Sequence, residues 1–138
     1  MKNWDLNVEK IGKNWLLTFS NQDEKVVVDA SYIFDSIDQL FTAIRLILKG
    51  EQESEASSLE EPGEKIIHFR PNHENLMIRI YEFKEYRGIG RNKATGKLRM
   101  QMTVNKNKFL NRLINEFHPY RQDEEIQKNL DQIIELRK

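Results

Sequence analysis

The chain has 138 residues, enough for one domain with a single sizeable core. It carries 22 basic and 22 acidic residues, so its bulk charge indicates neither a nucleic-acid nor an anionic-membrane partner. It contains no cysteine, which excludes disulfides, thiol catalysis and thiolate metal sites. The sequence begins without the apolar run of a secretory signal, and no window holds the roughly 18 apolar residues of a membrane span. We therefore expect a single cytoplasmic domain over residues 1–138.

The N-terminal part of the chain has the alternation of half-buried strands. Apolar residues alternate with polar ones over residues 4–8 and again over 15–19, on either side of the turn sequence IGKN. The segment KVVVD follows a second polar turn, NQDE. This pattern predicts three short strands in a meander.

From residue 33 onward the apolar period changes from two to about three and a half. The apolar stripe consists of Ile33, Ile37, Leu40, Ile44 and Ile47. Gly50 follows the stripe and is suited to end a helix in left-handed geometry. The stripe predicts one long helix that packs against a sheet.

Residues 51–64, EQESEASSLEEPGE, contain six glutamates and no basic residue. Because this segment has few large apolar side chains, we predict an acidic loop. Two interpretations stay open. The loop is a solvated connection, or its carboxylates cover a basic site on another protein.

The alternation returns in EKIIHFR, NLMIRIYEF and KLRMQMTVN, which predict three more strands. In the last of these, Leu98 is expected to face the core together with Met100, Met102 and Val104. The last two strands should form a hairpin with a basic loop over residues 84–97. Helical stripes at 109–117 and 126–134 complete the chain. The predicted class is α+β: an antiparallel sheet of about six strands, with one long central helix and two C-terminal helices on one face.

The hairpin loop reads EYRGIGRNKATGK and prompts comparison with a phosphate-binding loop. It misses the P-loop pattern, because Arg91 stands where the first glycine should be and Leu98 where the hydroxyl should be. Residues 84–99 hold six basic residues and one acid, beside aromatic residues. Such a loop could track a phosphate backbone while an aromatic ring stacks on a base. Alternatively, the charge keeps a glycine-rich loop soluble and the loop leans on the acidic segment.

The sequence offers no recognisable set of reactive groups. His68 and His73 lie five residues apart across a Pro-Asn turn, unlike the paired histidines of a zinc-binding helix. No serine lies in a G-x-S-x-G elbow. We therefore predict a non-enzymatic protein with no catalytic residue, no metal and no cofactor.

The run SYIFDSIDQLFTAIRLILKG, followed by EEPGE and IIHFR, resembles small bacterial domains of the immunity-protein type, which are encoded beside polymorphic toxins. The likeness covers residues 25–83, and its specific motif is Glu61-Pro62-Gly63-Glu64. No catalytic residue is implied by it. The resemblance implies binding rather than turnover.

The leading hypothesis is an immunity-type inhibitor that neutralises one cognate toxin by occluding it. The residues expected to complement a basic site on that partner are Glu51, Glu53, Glu55, Glu60 and Glu61. The residues expected at its rim are Tyr86, Arg87 and Arg91. The alternative is a nucleic-acid-associated module, and its contacts would be Arg87, Arg91, Lys93, Lys97 and Arg99. An enzyme with an unrecognised site is the third hypothesis.

Overall fold

The computed structural model describes residues 3–30 and 36–138. Within these residues the chain is α+β, as predicted, with strands in two antiparallel sheets. The first sheet contains β1 (Trp4–Ile11), β2 (Asn14–Asn21) and β3 (Glu24–Ala30), in that order. The second sheet contains β4 (Ser54–Glu60), β5 (Gly63–Asn72), β6 (Asn75–Phe83) and β7 (Lys97–Asn105), in that order. The helices are α1 (Ser36–Leu48), α2 (Lys106–Phe117) and α3 (Glu124–Leu136).

The first sheet confirms the predicted meander. The residues that alternate in its sequence turn one face inward, and that face buries Leu6, Val8, Trp15, Leu17, Phe19, Val26 and Val28. Their polar neighbours face outward, because successive side chains of a strand point to opposite faces. Three hydrophobic segments with short turns therefore suffice to specify this half of the structure.

The central helix is confirmed over the residues that the structure describes. α1 buries Ile37, Leu40, Phe41, Ile44 and Ile47. It packs against β4, β5 and α3. Ile33, the first residue of the predicted stripe, lies in residues 31–35, outside the described part of the chain.

The predicted acidic loop over residues 51–64 is wrong, because most of this segment is strand. β4 occupies Ser54–Glu60 and pairs with β5, which begins at Gly63. The side chains that β4 turns toward α1 are small rather than strongly apolar. Ala56 is buried there, and the Ser54 hydroxyl donates to the Ala43 carbonyl of α1 at 2.7 Å. A strand that lies close under a helix has room only for small side chains between the two. Serine and alanine do not produce the alternation of apolar and polar residues that predicts a strand.

The predicted single sheet of about six strands is also wrong. β4 is the additional strand, and the described chain separates into sheets of three and four strands. Side chains connect the two sheets between β3 and β4. The Asp29 N–H donates to Glu60 Oε2 at 2.9 Å, and the Ser58 hydroxyl donates to the Asp29 carbonyl. The Glu60 and Ser58 side chains thus bond to the backbone N–H and C=O of Asp29, groups that would pair with a neighbouring strand in a continuous sheet.

Leu98 faces away from the core, contrary to the prediction. In the β6–β7 pairing, Ile80 lies opposite Met100 but Tyr81 lies opposite Leu98, so Arg99 is an extra residue in β7. Such a bulge reverses the face of the residues beyond it. Leu98 is consequently 48% exposed, whereas Met100, Met102 and Val104 are buried as predicted.

The prediction that the helices share one face of a sheet is wrong. α2 packs along β1, which is an edge strand of the first sheet. Arg112 of α2 donates to the Leu6 carbonyl at 3.0 Å, and Glu116 accepts from the Val8 N–H at 2.8 Å. These contacts occupy backbone groups at the free edge, which would otherwise be a site for adding another strand.

The two sheets and three helices contribute to one hydrophobic core cluster in the described chain. Asp123 caps the N-terminus of α3, and its carboxylate accepts from the Glu125 N–H at 2.9 Å. No helix in residues 3–30 or 36–138 is both long and apolar enough to cross a membrane.

Ala56→Leu tests whether β4 packs closely against α1. Ala56 is 3% exposed, so the larger side chain should destabilise the fold by about 1–3 kcal/mol through overpacking. Ala94→Leu is the control, because Ala94 is exposed and should change the free energy of unfolding by less than about 0.5 kcal/mol. Urea denaturation of both variants gives the comparison. Equal stabilities would mean that residues 54–60 are a loop after all.

Candidate functional site

The basic hairpin loop folds back across the second sheet. We call residues 84–96, which connect β6 to β7, the basic arm. Its backbone contacts Glu64 at the start of β5 and Glu55 on β4. The arm therefore crosses the sheet face opposite the main core, from β6 to the β4 edge.

The side chain of Glu64 is the central attachment point of the arm. It is fully buried, with 0% of its side chain exposed. It accepts hydrogen bonds from the Arg87 N–H at 3.0 Å and from the Gly88 N–H at 3.1 and 3.2 Å to its two oxygens. Arg91 Nη1 donates at 2.6 Å and the Ser57 hydroxyl also at 2.6 Å. A buried carboxylate is tolerated only when its charge and lone pairs are met in this way.

The glycines of the loop allow this arrangement. Gly88 and Gly90 both have φ of +85°, a left-handed conformation that favours glycine. In this conformation, the Gly88 N–H points at Glu64 and the Gly90 N–H at Glu55, the latter at 2.9 Å. Backbone N–H groups in such turns form anion-binding concavities. The loop does hold an anion, and that anion is a carboxylate of its own chain.

A second ion pair holds the far end of the arm. The Lys93 ammonium contacts the Glu55 carboxylate, whose side chain is only 12% exposed. The same ammonium donates to the Arg91 carbonyl at 2.9 Å. The acidic and basic segments of the sequence therefore pair with each other, in agreement with the interpretation in which the loop leans on the acidic segment.

The arm also covers apolar surface. Phe83 and Ile66 lie on this outer face and are buried, although neither belongs to the main core cluster. The Arg91 guanidinium lies over the Phe83 ring, 3.8 Å from its centroid. A guanidinium stacked on an aromatic ring gains cation–π attraction and excludes water from the ring. Polar and apolar contacts thus hold the arm in one position.

The sequence-predicted site residues fall into two groups. Some are engaged within the chain: Glu55 with Lys93, Glu60 with Lys65 and the Asp29 N–H, and Arg91 with Glu64. The others are exposed: Glu51, Glu53, Glu61, Tyr86 and Arg87. Of these, Glu53 contacts His68 and Arg70, and Arg87 contacts Glu85. The structure does not gather the five glutamates into one acidic surface.

The exposed part of the arm combines aromatic, basic and aliphatic side chains. Tyr86 is 41% exposed and Ile89 is 57% exposed. The side chain of Arg87 is 65% exposed and forms an ion pair with Glu85 at 2.7 Å. Ile89 was not among the predicted site residues, because a single apolar residue in a loop has no periodicity to mark it.

His68 lies on β5 directly opposite Glu55 of β4, one of the carboxylates that hold the arm. His68 Nε2 is 3.5 Å from Glu53 Oε2, and His73 lies in the turn between β5 and β6 with φ of +57°. In the described ranges, 3–30 and 36–138, no group of three or more His, Asp or Glu side chains could hold a metal ion.

No family model matches this chain, and comparison with curated proteins and solved structures gives no significant match.

Glu64→Gln tests the anchoring of the arm. The substitution leaves Arg91 buried without its counter-charge, so we expect a loss of about 3 kcal/mol in the free energy of unfolding, at the lower end for a broken buried ion pair. Hydrogen exchange at the Arg87 and Gly88 amides should accelerate more than exchange in the first sheet. Glu85→Gln is the control, since the Glu85 side chain is 63% exposed and should change stability by less than about 0.5 kcal/mol. Unchanged exchange at both amides in Glu64→Gln would mean that Glu64 does not anchor the arm.

Proposed function

We propose that this chain is a non-enzymatic protein-binding protein of the immunity type, which neutralises a cognate toxin by occluding it. The proposal is carried by one observation: the basic arm is held across a sheet by buried contacts while its outer side presents Tyr86, Arg87 and Ile89. The resemblance of residues 25–83 to immunity-type domains supports the same class of function.

A fixed arm is favourable for binding. Ordering a flexible loop on association costs free energy, and a loop that is already ordered avoids that cost. Tyrosine and arginine are enriched among the residues that dominate binding energies, particularly when an apolar neighbour completes the patch. Tyr86, Arg87 and Ile89 provide this composition within four positions of sequence.

The binding surface proposed here differs from the acidic one suggested by the sequence. Glu55 and Glu60 have side chains only 12% and 22% exposed and contact lysines of the same chain. Complementing a basic partner would therefore depend on Glu51, Glu53 and Glu61. We assign the main contact to the arm and a peripheral role to these three glutamates.

A nucleic-acid role receives less support from the geometry. Two of its five expected contacts, Arg91 and Lys93, are neutralised by Glu64 and Glu55. Phosphate contacts require bases that are free to reach the backbone.

The test begins by expressing each protein encoded beside this chain's own gene, and one that arrests growth is taken as the toxin-like partner. Co-expression with that protein is followed by measurement of growth and of the dissociation constant. Wild type should protect the cells and bind with one-to-one stoichiometry. Ile89→Ser should weaken binding by tenfold or more, the effect of losing about 1.4 kcal/mol at a central contact.

Ile11→Ser is the matched control, because Ile11 is 56% exposed but lies at the end of β1 in the other sheet. It should protect as well as wild type. Failure of wild type to bind or protect would refute the proposed function. Equal weakening by both substitutions would refute the assignment of the contact to the arm.

A further inference from the structure

A pocket of about 1040 Å³ lies at the root of the basic arm. Its walls come from the turn between β4 and β5, from the end of β6, and from the two ends of the arm where they meet β7. Phe83 and Pro62 contribute apolar surface, while Lys84 and Lys97 supply ammonium groups. We call this cavity the lysine pocket.

The carboxylates that line the lysine pocket are all engaged by groups of the chain itself. Glu60 contacts Lys65, Glu64 holds the arm, and Glu85 contacts Arg87. Glu82 lies 3.8 Å from the Lys65 ammonium and 3.9 Å from the Arg99 guanidinium. None of these four acids depends on Lys84 or Lys97 for its counter-charge.

The two lysines, by contrast, have no such partner. Among residues 3–30 and 36–138, the Lys84 and Lys97 side chains form neither an ion pair nor a hydrogen bond. Arg91 also lines the pocket, but its guanidinium is held by Glu64 and lies over the Phe83 ring, and its buried Nε–H is not accessible to a ligand. The lining is balanced in charge, with four glutamates against two lysines and two arginines. Of these eight charged side chains, Lys84 and Lys97 are the two without a partner in contact in the described chain.

We propose that the lysine pocket receives a carboxylate side chain of the protein partner, held between Lys84 and Lys97, with its methylene groups against Pro62. This inference rests on the proposed function, because it names the chemistry of the same partner. A singly charged carboxylate fits better than a phosphate, since Glu60, Glu82 and Glu85 in the lining would repel a doubly charged group more strongly. The partner surface that meets the arm is accordingly acidic, with an apolar contact for Ile89.

A titration with small probes tests the lysine pocket independently of any partner. Acetyl-glutamate-amide should shift the NMR signals of the amides at 83–85 and 95–97, and acetyl-glutamine-amide, which lacks the charge, should not. The shifts should disappear in the double variant Lys84→Gln/Lys97→Gln. They should persist in Lys25→Gln/Lys49→Gln, which removes two exposed lysines elsewhere.

Other probes decide between sources of the anion. Stronger binding of succinate than of the capped glutamate would indicate a site for a free dicarboxylate and would overturn the partner assignment. Stronger binding of inorganic phosphate or of a short oligonucleotide would overturn the carboxylate assignment and favour a nucleic-acid partner. Absence of shifts with every probe would overturn the site altogether.

Measurement with the toxin-like partner separates this inference from the proposed function. The Lys84→Gln/Lys97→Gln variant should bind that partner about tenfold more weakly and with a smaller salt dependence than wild type. If Ile89→Ser weakens binding but the double lysine variant does not, only the carboxylate assignment fails. If wild type does not bind the partner, the proposed function fails, and the small-probe titration still decides whether the lysine pocket binds carboxylates.

Discussion

The buried carboxylate of Glu64 is the constraint on which the rest of the outer face depends. A charge with 0% side-chain exposure must be neutralised and hydrogen-bonded, or the fold loses several kcal/mol. β5 fixes its position opposite Phe83 of β6. The donors must therefore come to it, and the loop that turns back over the sheet brings the Arg87 and Gly88 amides there. The course of the arm thus follows from one side chain and its need for donors.

This constraint also determines which charges face solvent. The chain has equal numbers of acidic and basic residues, and its acidic and basic segments are separate in the sequence. In the structure, Glu55 and Glu64 neutralise Lys93 and Arg91. The side chains that remain exposed to solvent do not correspond to either charged segment. They are basic residues at the root of the arm and the group Tyr86, Arg87 and Ile89 on its outer side. A count of charges along the sequence does not reveal surface electrostatics when the charges pair at long range.

The sequence predicted the elements whose apolar residues follow a clear period. The three strands of the first sheet, α1 over its described residues, β5 to β7, α2 and α3 all carry such periods. β4 was missed because close packing under α1 favours Ser54, Ala56 and Ser58, whose small side chains read as loop residues. Leu98 was misplaced because a bulge at one residue has no hydrophobic signal. From the sequence, Glu64 was included in the acidic segment 51–64. The one feature that could have marked it as a buried residue is its position in the Glu-Pro-Gly-Glu motif, at the start of a strand.

The presence of the buried Glu64–Arg91 ion pair is not explained by stability alone. Replacing a buried ion pair with apolar residues of similar volume is often neutral or stabilising. Apolar contacts are already present at this place, since Phe83 and Ile66 are buried beneath the arm. Apolar packing, however, is non-directional and permits several loop positions, whereas four donors converging on one carboxylate permit a single one. Directional contacts of this kind fix one conformation of the loop, and its outer side carries Tyr86, Arg87 and Ile89, the residues of the proposed binding surface. The ion pair is therefore better understood as fixing the conformation of the arm, and with it the geometry of the proposed binding surface, than as adding to the stability of the core.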